Sequence, residues 1–197
     1  MTSIVNILSL LAAIPTPTPA PAPALNPSPD GRECGSVNVF YTGFPPYHPL
    51  VIDQGWDPVR VEYGLRNNTV AMVNAGYNVH VVWAGTEVPI PTLEDRLAES
   101  GVDFDLLGIG YGIRGATLPP VVERLEDLID MYHRKLPSTP IVFNYNPESF
   151  MWSLNHRLPM REDCEAAKKP GKLIGYEEIC DSRCDHEDGS ESYKEEL

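Results

Sequence analysis

The chain has no cluster of basic residues and no apolar run long enough to cross a bilayer. Its 15 Lys+Arg stand against 28 Asp+Glu, a formal charge of −13. Nucleic-acid binding needs concentrated Lys and Arg to meet phosphates, so that class of partner is excluded. An acidic chain is repelled by anionic membrane surfaces. The N-terminal apolar stretch, residues 4–14, is shorter than the ~20 residues that a spanning helix requires. Several catalytic signatures are missing too: there is no G-x-S-x-G, no H-E-x-x-H and no G-x-x-x-x-G-K-[ST]. Cysteine is scarce. Cys34, Cys164, Cys180 and Cys184 all lie outside the stretch that reads as core, which excludes thiol catalysis within it. There is no internal repeat and no coiled-coil heptad. What is present is a 42% hydrophobic chain of 197 residues, enough for one packed domain with tails and too apolar for wholesale disorder.

The chain divides into three segments. Residues 1–35 hold the apolar run IVNILSLLAAI and a Pro/Ala/Thr leader, PTPTPAPAPA. The run has the length of a signal peptide, and Ala22 and Ala24 give an A-x-A-like cleavage site. This predicts a secreted or secretory-pathway protein; the alternative is an uncleaved, cytoplasmic tail with a polyproline II spacer. Residues 159–197 are acidic. From Leu173 onward nine acids face only Arg183 and Lys194, which predicts a flexible tail. The chain ends Lys194-Glu195-Glu196-Leu197, which resembles an ER-retrieval signal. The four cysteines allow two disulfides, one of which could staple the tail to the start of the domain. Cys180 and Cys184 are separated by three residues, not the two of a zinc knuckle, and no metal site is read from them. Asn67-Asn68-Thr69 is a glycosylation sequon, placed on a predicted helix.

Residues 36–158 alternate strand and helix. Val37–Tyr41 reads as a strand, followed by a long loop rich in Pro and Gly. Asp57 caps a helix that opens at Pro58 and stops at Gly76. Asn78–Ala84 is a second strand. Thr92–Glu99 is a short helix in which Thr92 and Asp95 form a capping box. Phe104–Ile109 is a third strand. Pro119 opens a helix with an apolar stripe of Val121, Val122, Leu125, Leu128, Ile129 and Tyr132, with Arg124 among the charges on the other face. Pro140–Asn144 is a fourth strand, and Asn146-Pro147 caps a last helix with Phe150, Met151, Leu154 and Leu158 on one side. The pattern predicts an α/β fold: three layers, a short parallel sheet of about four strands in the flavodoxin-like order 2-1-3-4, and helices on both faces. A Rossmann half-domain is the alternative.

In such sheets ligands sit beyond the carboxyl ends of the strands, where strand order reverses. Thr42, Gly43, Gly110, Gly112, Arg114, Asn144 and Asn146 are therefore the candidate ligand-binding residues, with Tyr111 or Trp56 as an apolar wall. Gly110, Gly112 and Gly115 spell G-x-G-x-x-G, but the motif follows the third strand and no acid closes the fourth, so no dinucleotide or other cofactor is read. A small polar or anionic molecule held near Arg114 fits better. His48, Asp53 and Glu148 are the candidates for proton transfer. Against each stands a plainer role: His48 at the surface, Asp53 in a loop, Glu148 complementing a helix dipole.

Three stretches carry a resemblance: Ala75-Gly76-Tyr77-Asn78-Val79, the GIGYGIR loop from Gly108 to Arg114, and His133 to Glu148 with its Phe143-Asn144 and Pro147-Glu148 pairs. They resemble a group of small, mostly bacterial proteins with a GIGxGxR loop and an FNxxPE segment, over residues ~37–157. The resemblance implies a compact flavodoxin-like domain with Arg114, Asn144 and Glu148 at one edge and a cytoplasmic setting; it implies no activity. Three functions remain: a binding module for a small anion, a small hydrolase or lyase using His48, Asp53 or Glu148 beside Arg114, and a secreted or ER-lumenal interaction protein without catalysis.

Overall fold

The computed structural model describes residues 31–185. The signal-like run, its cleavage site and the retrieval-like C-terminus lie outside the described residues. Five parallel strands form one sheet in the order β4-β3-β1-β2-β5. β1 (Val37–Gly43) runs through the middle, flanked by β2 (Tyr77–Ala84) and β3 (Leu106–Ile109); β4 (Ile141–Phe143) lies outside β3, and β5 (Leu173–Ile179) outside β2. In register, Tyr41 stands opposite Val81 on one side and Gly108 on the other. The order 2-1-3-4 is present within this sheet.

The β-branched and aromatic runs form strands because both faces are covered, as in parallel sheets generally. Val39, Val79, Val81, Leu107 and Ile109 are fully buried. Successive residues of a strand point to opposite faces. Phe40 meets Phe104 and Tyr132, whereas Tyr41 meets Phe150 with ring centroids 4.4 Å apart.

β5 is the main departure from the sequence reading, because Leu173–Ile179 was expected to belong to a flexible acidic tail. Its Glu177 is neutralised by a residue distant in the chain. Arg96 binds Glu177 at 2.7 Å. The Arg66 guanidinium lies 5.5 Å from the centre of the Tyr176 ring, which also packs edge-on to Trp83. A local charge count does not see these partners.

The connections are helical. α1 (Pro49–Asp53) and α2 (Pro58–Asn74) join β1 to β2; α3 (Ile90–Glu99) joins β2 to β3; α4 (Tyr111–Arg114) and α5 (Pro119–Lys135) join β3 to β4; α6 (Phe150–Asn155) follows β4. Asp57 caps α2 by accepting from Val59 N at 3.0 Å, and Gly76 ends it at φ +98°, a conformation that glycine adopts without a Cβ clash. α1 sits inside the loop expected to be irregular. α3 begins at Ile90, and no side-chain cap bond forms at its start, so the Thr92–Asp95 capping box is not made. Asn146-Pro147 is a turn and not a cap: Asn146 Oδ1 accepts from Glu148 N at 2.8 Å, and the helix opens at Phe150. On α5 the buried side includes Arg124 and Met131, while Val122 and Ile129 are exposed. Arg124 is only 4% exposed and donates to Val88 O at 2.8 Å.

The chain must pass from β4 at one edge to β5 at the other. Residues 156–172 make this passage beside the N-terminal ends of the strands. Tyr77 there donates to Leu158 O at 2.8 Å, Arg32 pairs with Met160, and Gly171 N donates to Val73 O at 2.7 Å. Cys34–Cys164 bonds this passage to the segment leading into β1, across a sequence separation of 130. The second disulfide, Cys180–Cys184, follows β5. Loop-closure entropy assigns about 5 kcal/mol to the first bridge and only about 2 kcal/mol to the second. Two disulfides suit an oxidising environment. Among the described residues no helix is long and apolar enough to cross a membrane.

His80 in β2 gives the fold a pH dependence. The ring is 7% exposed, packs edge-on to Phe40 and has no hydrogen-bond partner for Nδ1. Burial lowers its pKa below the usual value, with Glu177 opposing and Arg96 adding to the effect. The folded chain thus resists a proton that the unfolded chain accepts below about pH 6.5. Stability is full above that pH and declines as pH falls toward the folded pKa, by at most about 1.4 kcal/mol per pH unit. Urea unfolding at pH 7 and pH 5.5 should show a larger drop for the native protein than for His80→Gln. Equal drops would remove His80 from this account.

Candidate functional site

Strand order reverses between β1 and β3, so their carboxyl ends diverge into separate connections and leave a crevice. The crevice is nearly filled. A cavity of about 40 Å³ remains, walled by Gly43, Phe44, Trp56, Trp83, Gly110 and Phe150 among others. That is room for two or three waters at roughly 10–15 Å³ each. The glycine run folds as α4, and the donors at its two ends are engaged: Gly110 N donates to Thr42 O at 2.8 Å, and Gly115 N to Tyr111 O at 2.7 Å. Gly112 and Tyr111 also line this cavity, and the Tyr111 ring meets Trp56 edge-on.

Arg114, at the end of α4, faces a different space. Its guanidinium stacks over the Tyr111 ring, 4.9 Å from the centre. Its Nε is buried without a hydrogen-bond partner, and no carboxylate among the described residues pairs with it. It opens onto a cleft of about 370 Å³, bordered by Asn144, Trp152, Ser153, His156 and Arg157, with no Asp or Glu in the lining. Two guanidinium groups and an imidazole without a carboxylate favour an anion there. Asn144 lines both spaces. Its Nδ2 donates to Asn146 O at 2.6 Å, and its Oδ1 is buried and unpartnered.

The Tyr41 hydroxyl is buried behind this cleft. Burial pushes its pKa up; Ser153, the Asn144 backbone and the Arg114 charge pull it back in smaller measure. The Ser153 hydroxyl donates to Phe150 O at 2.7 Å, and Tyr41 Oη makes no well-aligned hydrogen bond among the described residues. Three polar atoms around the end of β4 (Arg114 Nε, Asn144 Oδ1 and Tyr41 Oη) are thus unsatisfied together. Such groups are uncommon in native interiors, and a bound water or ligand is one way to complete them.

The remaining candidates are elsewhere. Thr42 donates to Val82 O at 2.8 Å and is buried in the sheet. Asn146 shapes the turn and lines neither cavity. Glu148 is exposed and pairs with Arg60 at 3.0 Å, a contact worth little in water. Asp53 is exposed at the last position of α1. Asn67 is exposed on α2, but Thr69 of the sequon is buried and donates to Leu65 O at 2.8 Å.

His48 corrects the surface reading, since it is 1% exposed. Its Nδ1 accepts from Leu50 N at 3.1 Å, capping α1, and its Nε2 lies 3.0 Å from Glu87 Oε2. The accepting Nδ1 leaves the proton on Nε2, which donates to Glu87. Proline on either side hid this role by suggesting an open loop. Glu87, Arg124, Ser153, His156 and Arg157 were not anticipated as site residues. Only the His156-Arg157 pair, an imidazole beside a guanidinium in an acidic chain, offered a local signal. Comparison with family models, with curated proteins and with solved structures finds no match to the chain.

Proposed function

We propose that the protein binds a small anionic molecule in the cleft beside β4. The observation that carries this reading is Arg114: a half-buried guanidinium with an unpartnered Nε and no carboxylate partner, opening on a cleft whose lining holds Arg157 and His156 but no acid. In a chain of charge −13, guanidinium groups without a carboxylate partner among the described residues, gathered around one cavity, favour an anionic ligand. Arg114 supplies a fork of donors to a carboxylate or phosphate, and Asn144 orients a second group. The binding reading is favoured over a hydrolase or lyase because His48, Asp53 and Glu148 do not border the cleft. We further take the fold as flavodoxin-like with helices over both faces of the sheet, akin to the GIGxGxR-loop proteins, and the protein as exported.

The test is thermal unfolding of the full chain with inorganic phosphate, sulfate, short mono- and dicarboxylates and nucleoside monophosphates. At least one anion should raise the melting temperature, approaching about 2.7 kcal/mol of stabilisation at a hundred times its Kd. Arg114→Ala should fold and lose that shift. Equal shifts in both proteins, or none with any anion, would reject the cleft as the site.

A further inference from the structure

The carboxyl ends of β1, β2 and β5 bring a second group of side chains together, away from the Arg114 cleft. His48 follows β1, Glu87 follows β2 and Cys180 follows β5. His48 Nε2, a Glu87 carboxylate oxygen and Cys180 Sγ all lie within 4.8 Å of one another. Cys180 is held in the disulfide with Cys184, and this short ring carries Arg183. The Arg183 guanidinium sits 3.1 Å from Glu87 Oε2, the same oxygen that His48 Nε2 meets at 3.0 Å, and also pairs with Asp181. The other Glu87 oxygen is buried and unpartnered. In the oxidised protein the ring therefore places a cation where the imidazole, the carboxylate and the sulfur converge.

We propose that Cys180, Cys184, His48 and Glu87 form a redox-gated site for a divalent transition metal of the zinc type. A dithiol reductant exchanges with the Cys180–Cys184 disulfide. The reductant's two thiols become its own disulfide, and Cys180 and Cys184 become free thiols. Opening the ring frees Arg183 and Asp181 to leave as a pair. The metal then takes two thiolates, one carboxylate oxygen and His48 Nε2, four ligands of the kinds that a tetrahedral zinc site uses. Two thiol protons go to solvent. The Nε2 proton passes to Nδ1, at the cost of the bond from Leu50 N.

Charge bookkeeping supports the exchange. Closed, Glu87 and Asp181 balance Arg183 and the buried Arg124, whose environment includes the Glu87 charge. Open and loaded, two thiolates and Glu87 balance the dication and Arg124. Asp127, whose charge also acts on Arg124, stays in both states, so two thiolates and a dication replace Asp181 and Arg183 with no change in local charge. The two disulfides also differ in access. In the first, Cys164 is 1% exposed and Cys34 half-buried, while in the second Cys180 and Cys184 are both half-buried, so a reductant reaches either sulfur. The short ring gives the unfolded chain little loop entropy to lose, so opening it leaves the fold standing.

The test is cobalt(II) titration of the full chain, oxidised and after mild dithiol reduction, read by visible absorption. The reduced protein should bind one equivalent, with the intense ligand-field bands of a tetrahedral site and a sulfur-to-cobalt charge-transfer band; the oxidised protein should show neither. Cys180→Ser/Cys184→Ser should abolish both bands. Glu87→Gln, which keeps the shape of the side chain, should weaken binding at least about tenfold. The proposal fails if reduced protein shows no thiolate–cobalt band. It also fails if the band survives Cys180→Ser/Cys184→Ser, which would assign it to Cys34 and Cys164. Unchanged affinity in both Glu87→Gln and His48→Gln would mean that two cysteines alone hold the metal, and would equally overturn it.

Discussion

Replacing both Cys34 and Cys164 by serine is expected to lower the unfolding free energy by about 3–5 kcal/mol, a large part of the stability of an ordinary domain. The bridge closes a separation of 130 residues, so the unfolded chain gains much freedom when it is removed. The native state loses little in exchange, because Arg32 N to Pro159 O at 2.8 Å and Arg161 N to Arg32 O at 3.0 Å still tie the same two segments. Cys180→Ser/Cys184→Ser should cost less than half as much, since it spans a separation of only 4. Denaturant unfolding of the two double variants measures the difference directly. Equal losses would show that local strain or packing, and not chain freedom, sets the contribution of the long bridge.

Gly171→Ala is expected to lower stability by about 3 kcal/mol and to release β5 from the sheet. A Cβ on Gly171 would lie 1.9 Å from the Tyr77 carbonyl oxygen and 2.3 Å from its carbon. Those atoms belong to the backbone at the start of β2 and cannot rotate away. The residue has no positive φ, so the effect is one of space and not of backbone conformation. The crossing segment approaches this closely because Gly171 N donates to Val73 O at 2.7 Å and the next residue's carbonyl accepts from Val79 N at 2.7 Å. Pushing the segment outward breaks both bonds and unseats the ladder that follows. Hydrogen exchange should accelerate across residues 173–179 and along β2 while β3 and β4 keep their protection. Protection retained in β5, with stability within 0.5 kcal/mol of the native value as at ordinary surface sites, would show that the crossing segment shifts at little cost.

The two proteins differ in what they report. The first change acts on the unfolded chain, the second on the native one, and the second concerns a strand that the sequence hid. The strands β1 to β4 were legible because each is a short apolar run free of charged side chains, fully buried in β3 and nearly so in β1 and β2, which leaves a clear signature even at the β4 edge. The caps at Asp57 and Gly76 were legible because they depend on immediate neighbours. β5 was not, because an edge strand needs only partial burial and its Glu177 charge is met by Arg96, 81 residues away. Arg124 was placed on the wrong side of α5 for a related reason: a charge count assigns it to solvent, while the guanidinium reaches Val88 O from a neighbouring connection. The candidate site was partly visible. Topology pointed to Arg114 and Asn144, yet the glycines beside them wall a small apolar cavity, because Phe44, Trp83 and Phe150 fill the space. His48 and Glu87 met only through the fold, since no sequence spacing links the end of one strand to the end of another.

Cys34–Cys164 also decides how the molecule answers to tension. A pull applied at the two chain ends travels through the residues before Cys34, across the sulfur–sulfur bond and out through the residues after Cys164. Residues 35–163, and with them β1 to β4, remain slack inside a covalent bypass. Among the described strands β5 alone lies on the taut path, so a stretched molecule sheds that single ribbon from its edge and shelters the other four for as long as the bond stays closed.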